Sequence, residues 1–574
     1  DTGIDQDHPD LAGRVAGVYT QFGLDPSPAD SNGGHGTHIA ITIAGSGTGD
    51  SSAKGIAPDA LIVAYALEHD PTGVFGRIGS IYDMLNHAEQ EGSRISVNAW
   101  GLNGNYGAYT GDSRSVDVFV KDNSDFLPVF SAGDDPSQNA SKVMAPSTGK
   151  NVLSIGASTT NPSGSVANFS SLGPSLDGRV KPDLVAPGVD ICSGRAQEAA
   201  IPTGSNCGSG QHANGNGLYM SLTGASQATA VAGGSISLIR EFIREEVGIV
   251  KPSASLLKGA AINGAIDLGA PDIPNSEEGW GQISVANTVM PEYNGVDLST
   301  YYDNSRVLSA GFSTLYQFDV NPGSGLDLTL TWTDVAGSAN AEQNQSRLVN
   351  DLDLLLMAPD GTVFKGNVML NGYSIPNGVH DYVNNVERIK INPSANLPAG
   401  KWKVMVTHAG GLDQAYSLIL TGDATLDPKA DLVAYDGSIF PSSESPLVND
   451  LITIRIAWLN QGTANASQFR VVLEDLTDNT VLYDGNRSNL AAGQTDSLTI
   501  YHTFNSTGDH NMRLSIDTES SVEEINDEID GVNNNIEEMT ITVAALGVRL
   551  VTLNSEGVED SSLVNQTLDP STAE

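Results

Sequence analysis

The amino-acid sequence predicts an α/β domain built on a doubly wound parallel sheet, followed by two all-β domains. Up to about residue 290, short apolar runs alternate with amphipathic or small-residue stretches, which is typical of parallel strands connected by helices. Beyond that point apolar residues recur at every second position, which is typical of strands with one buried face. The chain has 574 residues, enough for three domains that each bury a core.

The first domain is expected to cover residues 1–290. In an open parallel sheet, ligands bind at the carboxyl ends of the strands, so catalytic groups are expected in the loops that follow strands. The expected helices are 77–92 and 226–248, and the expected strands are 60–67, 94–100, 126–133 and 151–158.

The second domain is expected at 291–424 and the third at 425–545. The period-two runs of the second, at 326–334, 351–362, 401–410 and 416–423, predict a jelly-roll-like β-barrel. The regular strand spacing of the third, at 451–463, 469–475, 496–504, 510–517 and 536–543, predicts an immunoglobulin-like sandwich. Residues 546–574 are acidic and rich in serine, and we expect a tail or the start of a further domain.

The charge balance excludes two classes of partner. The 69 acidic and 28 basic residues give a net charge of −41, which argues against binding to nucleic acid or to an anionic membrane. No apolar run approaches the roughly 18 residues that a membrane-spanning helix needs. The acidic surface suits a salty setting or a calcium-binding protein, although most of these charges are expected to be a merely solvated surface.

The two cysteines, Cys192 and Cys207, exclude a dense disulfide scaffold and a zinc site made of thiolates. A disulfide between them is expected if the protein is exported, and two unpaired thiols are the alternative. The chain opens with "DTGIDQDHPDL", without the apolar strand that should lead into such a turn. We interpret this start as truncated, so the lack of a visible signal peptide is uninformative.

Three residues in glycine-rich, strand-end or helix-start contexts suggest nucleophilic catalysis. They are Asp1 in "DTGID", His35 in "GGHGTHIA" and Ser226 in "GASQATAVAGG". A serine hydroxyl needs an imidazole to accept its proton, and the imidazole needs a carboxylate to fix its tautomer and to stabilise its cation. Taken singly, each residue could be a turn or helix-start residue. The three together make that explanation improbable.

These motifs resemble the signatures of the subtilisin-like serine proteases, or subtilases. The segments "FSSLGP" (169–174) and "RVKPDLVAPG" (179–188) fit the same family. The resemblance implies that Asp1 is the orienting carboxylate, His35 the general base and Ser226 the nucleophile. It also implies that a second histidine, His38, is structural.

The oxyanion hole departs from the family pattern. Subtilases carry an asparagine whose amide donates to the oxyanion, and here "FSAGDDPSQN" places Asp134 there. An ionised carboxylate would repel the developing charge, whereas a protonated one could still donate a hydrogen bond. The threonine that usually precedes the nucleophile is Ala225. The amide of Ser226 remains as a donor.

The remaining positions of the resemblance concern the substrate and oxidation. The family's Ser-Trp-Gly substrate strand is Ala99-Trp100-Gly101, and a second expected substrate segment is Ser131-Ala132-Gly133. Gln227 stands where subtilases usually have an oxidisable methionine after the serine, so that liability is removed.

The resemblance continues into the β-domains. "LVNDLDLLLMAPDGT" with "NNVERIKI" (384–391) is similar to the C-terminal β-barrel of the oxidatively stable alkaline subtilases of the KP-43 type, and residues 430–543 are similar to CARDB-type adhesion modules. Subtilases of this type often bind calcium, which needs several clustered oxygens. The candidate ligands are Asn350, Asp351, Asp353, Asp381 and Asn385, with outward-facing strand residues as the alternative.

A second calcium candidate is the acidic stretch 523–535, for which a solvated loop is the favoured alternative. No HExxH motif supports a metalloprotease, and no cofactor is expected for catalysis.

The sequence therefore predicts a serine endopeptidase that is secreted or at the cell surface and acts on polypeptides. The alternative is a weakly active or inactive subtilase-fold protein for binding or adhesion, whose β-domains take a surface, carbohydrate or protein ligand. Asp134 and Ala225 favour this alternative, whereas the complete set of Asp1, His35 and Ser226 opposes it.

Overall fold

The computed structural model describes residues 1–135, 141–160, 164–199, 204–269, 272–525 and 534–545. The predicted tail at 546–574 and most of the acidic stretch 523–535 lie outside these residues. The chain divides into two compact units, which are described separately. The first comprises 1–313 and 317–427, and the second comprises 314–316 and the described residues from 428 onward.

The α-helices all belong to the first unit's α/β part: α1 His35–Ala44, α2 Ile81–Gln90, α3 Gly111–Asp122, α4 Ala225–Glu245, α5 Ala254–Asn263 and α6 Val285–Val289. Short 3-10 helices lie at Pro9–Leu11, Ser51–Ala53 and Pro322–Ser324. The strands of the α/β part are β1 Val15–Tyr19, β2 Ile62–Tyr65, β3 Glu68–His69, β4 Val74–Phe75, β5 Ile95–Asn98, β6 Leu127–Ser131, β7 Leu153–Ser158, β8 Leu184–Pro187, β9 Ile191–Gly194, β10 Ser205–Asn206 and β11 Tyr219–Leu222.

The later strands of the first unit are β12 Glu292–Tyr293, β13 Val296–Asp297, β14 Ser299–Leu308, β15 Ser313–Val320, β16 Leu326–Trp332, β17 Asp351–Met357, β18 Val363–Leu370, β19 Tyr373–Pro376, β20 Val386–Ile391, β21 Gly400–Gly410, β22 Gln414–Gly422 and β23 Ala424–Leu426. Those of the second unit are β24 Leu432–Val433, β25 Ile439–Pro441, β26 Leu451–Asn460, β27 Phe469–Asp475, β28 Thr480–Arg487, β29 Thr495–Thr503, β30 Gly508–Ile516 and β31 Ile536–Val543.

The α/β part is built on parallel strands, as the alternating pattern predicts. Strands β5, β6, β7 and β8 pair in that order, all parallel, and β1 pairs with β2 in parallel as a separate sheet. Every residue of β6 and β7 is buried, which explains why these strands read as continuous apolar runs. The parallel strands β5 and β6 end at residues 98 and 131, so the segments that follow them begin at the same edge of the sheet.

Helix α4 packs along β5 to β8 because its first half is made of small residues. A Cβ on Gly233 would lie 2.3 Å from Cγ2 of Val97, and one on Gly234 would lie 2.6 Å from Cβ of Ile56. Farther along, Ile236, Ile239 and Ile243 recur at helical spacing and are fully buried. The sequence "SQATAVAGG" is therefore dictated by close helix-to-sheet packing as well as by the site at its start.

The all-β region of the first unit contains two antiparallel sheets, with strand orders β14-β22-β16-β20 and β19-β18-β17-β21-β15-β23. Helix α5 packs on β16 and β22, and all ten of its residues are buried. Its Gly259 permits the contact, since a Cβ there would lie 2.6 Å from Oγ1 of Thr331. The predicted all-β character of this region is confirmed.

Hydrogen bonds of two buried cations, Lys150 and Arg388, join the α/β part to these sheets. Lys150 Nζ donates to Asp334 Oδ2 at 2.5 Å and to the carbonyl of Arg347 at 2.6 Å, and the side chains of Lys150 and Asp334 have no exposed surface. Arg388 is paired with Asp327 at 2.6 Å and also donates to the carbonyl of Asn263. Removing one partner would strand the other charge in the interior.

The second unit has two antiparallel sheets of four strands each. In one, β26 pairs with β24, β25 and β29, and the other has the order β28-β27-β30-β31. Alternate residues of the strands point into a core that includes the fully buried Trp458 and Phe469. The period-two pattern in the sequence identifies β26, β27, β29, β30 and β31, but it does not identify β24, β25 or β28.

The structure joins Cys192 of β9 to Cys207 in a disulfide, so the alternative of two unpaired thiols is wrong. The bridge lies beside Tyr219 of β11 and fixes the β10 hairpin segment to the α/β part. Within the described ranges, no helix has the length and apolar character needed to span a membrane.

Candidate active site

Asp1 and His35 meet because two glycines allow the chain to approach closely. His35 opens α1 after Gly34, whose φ of 72° lies in the left-handed region that favours glycine. A Cβ on Gly36 would lie 2.1 Å from the carbonyl oxygen of Gly3, so only glycine fits there. In this arrangement Nδ1 of His35 lies 2.8 Å from Oδ1 of Asp1. The pair leaves Nε2 of His35 available to exchange a proton.

A second carboxylate supports the pair from the interior. Asp30 is fully buried and accepts hydrogen bonds from Thr2 Oγ1 at 2.8 Å and from Thr37 N at 2.7 Å. Thr2 N also donates to Asp1 Oδ1 at 2.7 Å. Burial lowers the pKa of His35, and the negative charge of Asp30 opposes this effect. The imidazolium that forms during proton transfer would therefore face two carboxylates.

Ser226 is the second residue of α4 and is half-buried beside the carboxyl end of β5. Its Oγ donates to the carbonyl of Ala99 at 2.9 Å, in the predicted substrate segment. Backbone N–H groups in the first turn of a helix have no partner within the helix, so the Ser226 amide is suited to binding an anion.

A pocket of about 400 Å³ opens next to Ser226. The expected substrate residues Trp100, Ser131 and Gly133 contribute to its walls, and the full lining is Trp100, Asn103, Tyr106, Ser131, Gly133, Asp134, Asp135, Met144 and Ser226. Gly101 packs against this wall, since a Cβ there would lie 2.6 Å from Cε of Met144. Ala132 already uses its backbone, donating to Ile155 O and accepting from Met144 N.

Asp134 stands at the position predicted for the oxyanion hole. Its side chain is exposed at the mouth of the pocket, and Oδ1 accepts a hydrogen bond from Ala225 N at 2.6 Å. Desolvation by the pocket raises the pKa of Asp134, whereas the Ala225 amide and the charge of His35 oppose the rise. The side chain therefore sits at the positive end of α4.

His38 is placed differently from His35. Its side chain is fully buried, and Nε2 lies 3.1 Å from the carbonyl of Ile191 and 3.2 Å from that of Met220. Burial lowers the pKa of His38 to about 3, so it stays neutral and donates to these carbonyls. It links α1 to β9 and β11.

Sequence reasoning missed three polar residues around His35. Besides Thr2 and Asp30, Glu68 is buried, its pKa is raised by desolvation, and its charge acts on His35. Thr2 directly follows Asp1 in the quoted motif, so its proximity could have been inferred. Asp30 lies in a loop and Glu68 in the two-residue strand β3, and the sequence around them carries no periodic or motif signal.

The candidate calcium ligands of the β-region are only partly brought together. Asp351 and Asp353 lie on the same face of β17, and Glu387 of β20, which the sequence analysis missed, is buried near them. Oε2 of Glu387 accepts from Leu354 N at 2.6 Å, but Oε1 has no hydrogen-bond partner among the described residues. Desolvation and the neighbouring carboxylates raise the pKa of Asp351 to about 6. Asp351, Asp353 and Glu387 offer carboxylate oxygens of the kind that bind calcium, and Nδ1 of His380 also lies 2.8 Å from Asp353 Oδ1.

The side chains of the other three candidates are engaged in hydrogen bonds, although the charge of Asp381 acts on Asp351, Asp353 and Glu387. Asp381 accepts four hydrogen bonds from Asn367, Val383 and Asn384, which fill its lone pairs. Asn350 bonds to Gln414 and Leu412, and Asn385 donates to the carbonyl of Trp332. The expected convergence of all five residues is therefore not seen.

In the second unit, Asp475, Asp478 and His510 offer ligand atoms within 4.8 Å of one another. Nδ1 of His510 lies 2.5 Å from Asp475 Oδ2, and its Nε2 lies 3.2 Å from the carbonyl of Ser506. Both ring nitrogens thus have protein partners, as expected for a structural histidine.

Comparisons with known proteins agree with this arrangement. Residues 1–281 match the model of the subtilase family, Peptidase S8, and residues 429–538 match the CARDB model. The chain is 26% identical over 503 residues to the "Serine protease/ABC transporter B family protein tagA" of Dictyostelium discoideum, covering 69% of this chain and 28% of that protein. It is 31% identical over 255 residues to the "Serine protease AprX" of Bacillus subtilis, covering 42% of this chain and 55% of that one.

Among solved structures, fervidolysin from Fervidobacterium pennivorans, described as a keratinolytic enzyme related to subtilisin, aligns over 90% of this chain and 70% of its own, with 16% identity and a TM-score of 0.39. The chain spans less than a third of the length of the Dictyostelium relatives.

The site therefore combines the Asp1–His35 pair at the start of α1 with Ser226 at the start of α4, beside the carboxyl end of β5. Residues 1–281 form a subtilase domain and residues 429–538 a CARDB domain, as the two family models show.

Proposed function

We propose that this protein is a serine endopeptidase that hydrolyses peptide bonds in polypeptides. The observation that carries the proposal is the 2.8 Å contact between Asp1 Oδ1 and His35 Nδ1 in a subtilase domain that presents Ser226 at a helix start. This contact fixes the tautomer in which Nε2 of His35 can accept a proton. The serine protease names of the relatives support the same reaction.

The reaction follows from the roles of these groups. A substrate lies extended along the segments of Trp100 and Gly133, with one side chain in the pocket. Ser226 Oγ rotates from the Ala99 carbonyl, attacks the scissile carbonyl carbon and passes its proton to Nε2 of His35. The imidazolium gives this proton to the leaving amine as the C–N bond breaks. Water then hydrolyses the acyl-enzyme with His35 again as base.

The test is hydrolysis of a denatured protein together with labelling by a fluorophosphonate, which reacts with activated serines. The wild type is expected to hydrolyse and to be labelled, and Ser226→Ala is expected to lose both. Ser115→Ala is the matched control, because Ser115 is a partly exposed serine on α3 whose hydroxyl donates locally to Gly111 O. A folded wild type that is neither active nor labelled at any pH contradicts the proposal.

The alternative of a binding protein without activity rests on Asp134 and Ala225. The relatives that match are described as serine proteases, so this alternative is not favoured.

We also propose that the protein works outside the cell. The disulfide between Cys192 and Cys207 supports this location, because such bonds form and persist in oxidising compartments. Detection of the mature protein in culture medium rather than in cells tests it.

A calcium ion held by Asp351, Asp353 and Glu387 is proposed as a structural element of the β-region. The unpartnered Oε1 of the buried Glu387 supports it. Desolvation and the neighbouring carboxylates raise the pKa of Glu387 well above its ordinary value, so the neutral replacement Glu387→Gln is expected to change the melting temperature little in the absence of calcium.

At a hundredfold excess over Kd, calcium should stabilise the wild type by about 2.7 kcal/mol and so raise its melting temperature. This rise should be lost in Glu387→Gln. Asp360→Asn, in an exposed turn of the same region, is the control that should keep it. An equal response to calcium in Glu387→Gln contradicts the site.

A further inference from the structure

The carboxyl group of Asp134 is held in one orientation by the start of α4. Ala225 N donates to Oδ1 at 2.6 Å, immediately before the amide of the nucleophile Ser226. The other oxygen, Oδ2, lies 3.2 Å from the position that a Cβ on Gly224 would take, so the group packs directly on the backbone leading to the serine. The carboxyl group thus lies at the start of α4 and lines the same pocket as Ser226.

This orientation gives the two carboxyl oxygens of Asp134 different hydrogen-bonding roles. Oδ1 is committed to accepting from Ala225 N, which leaves Oδ2 as the atom able to carry a proton. A neutral carboxylic acid held in this way has the same donor and acceptor pattern as a side-chain amide, with one oxygen accepting and the other group donating. An ionised carboxylate has acceptors only, and it would place a negative charge beside the developing oxyanion.

We propose that protonated Asp134 is a catalytic residue that completes the oxyanion hole, and that ionisation of Asp134 switches the hole off. The inference rests on the proposed protease function. As the bond from Ser226 Oγ to the carbonyl carbon forms, the π electrons move to the carbonyl oxygen and the serine proton goes to Nε2 of His35. Asp134 donates a hydrogen bond from Oδ2 to that oxygen and keeps its proton throughout, and the Ser226 amide is the second donor.

Several charged groups face Asp134 from the neighbouring elements. His35 lies across the site on α1, and the start of α4 presents its positive end. Asp135 is next in the chain, and its carboxylate lies 3.4 Å from Nζ of Lys142, which itself lies over the ring of Tyr106. The His35 cation and the Ala225 amide at the helix end favour the ionised form of Asp134, whereas desolvation opposes it.

The reaction then requires both side chains to be uncharged, so His35 must be deprotonated and Asp134 must be protonated. Desolvation raises the pKa of Asp134 from 3.8, and burial lowers that of His35 from 6.5. On the acidic side of neutrality, both shifts increase the fraction of enzyme molecules in which His35 and Asp134 are neutral at the same time. The expected pH profile of kcat/KM is a bell with an acidic optimum, whose alkaline limb belongs to Asp134.

Replacing Asp134 by asparagine should remove that limb. The amide has the same shape and donates at every pH, so Asp134→Asn should match the wild type at acidic pH and exceed it in alkaline solution. Loss of one oxyanion donor lowers turnover by about 10²–10³, which sets the expected ratio of the two proteins near pH 8.

The experiment is kcat/KM for a soluble peptide substrate between pH 3.5 and 9, measured for the wild type and for Asp134→Asn. Asp83→Asn, at an exposed carboxylate on α2, is the matched control and should retain the wild-type bell. An alkaline limb that stays in place in Asp134→Asn overturns the switch, while the fall of activity in Ser226→Ala would still support the protease.

Two further outcomes have defined meanings. If wild type and Asp134→Asn are both inactive and unlabelled by fluorophosphonate over the whole range, the protease function and the switch fail together. If Asp134→Asn is active where the wild type is not, the switch is supported directly.

Discussion

The replacement Asp1→Asn should lower kcat by about 10³ and not more. All hydrogen bonds to the Asp1 carboxylate reach Oδ1, from His35 Nδ1 at 2.8 Å, Thr2 N at 2.7 Å and Thr2 Oγ1 at 3.3 Å. Oδ2 is buried without a partner among the residues that the structure describes. An asparagine with its oxygen at the Oδ1 position keeps these three bonds, so the tautomer of His35 is preserved.

What the variant loses is the charge facing the imidazolium. Two unit charges about 4 Å apart contribute about 4 kcal/mol at an effective dielectric constant near 20, which corresponds to about 10³ in rate. The buried carboxylate of Asp30 remains and limits the loss. Asp1→Ala should be worse, near 10⁴, because it also removes the acceptor that orients His35.

The assay is single-turnover acylation at the wild-type pH optimum, with melting temperatures measured to confirm folding. A loss in Asp1→Asn as large as that in Asp1→Ala would refute the argument, since orientation would then account for the whole effect. Asp1→Asn combined with Asp30→Asn should lose more than Asp1→Asn alone, because both carboxylates that face the imidazolium are then neutral.

Three further outcomes are expected. Lys150→Met should lower the free energy of unfolding by about 3–5 kcal/mol, because Asp334 is left buried without its cation; an unchanged midpoint in urea followed by tryptophan fluorescence would contradict this. Replacing Cys192 and Cys207 by serine should lower it by about 3 kcal/mol, since the disulfide joins positions 15 residues apart, and the reduced wild type should behave alike. Gln227→Met should be inactivated by hydrogen peroxide faster than the wild type, and equal rates would show that this position is not the sensitive one.

The parts of the fold that could be predicted from sequence are those with a regular period. The buried strands β6 and β7 read as apolar runs, and the second half of α4 repeats isoleucine at helical spacing. The short helix α5 was missed, because it is buried on all sides and shows no amphipathic pattern.

The residues of the candidate site also fall into those that could be predicted from the sequence and those that could not. Asp1, His35 and Ser226 lie in glycine-rich motifs whose backbone demands are visible in the sequence. Asp30 comes from a loop and Glu68 from the two-residue strand β3, and only the folded chain shows that both lie near His35. In the β-region, strand alternation indicates that Asp351 and Asp353 share a face, but it does not reveal that Glu387 of another strand is buried beside them.

Helix α5 makes the α/β part dependent on the sheets that follow it in the chain, which limits how the protein can be shortened. Its ten residues are buried, and it packs on β16 and β22. Gly259 lies so close to Thr331 that a larger side chain would not fit. A version cut before residue 291 would uncover this helix and leave Lys150 without Asp334, so we expect it to aggregate. Shortening the protein for recombinant use should therefore begin after residue 427, where the first compact unit ends.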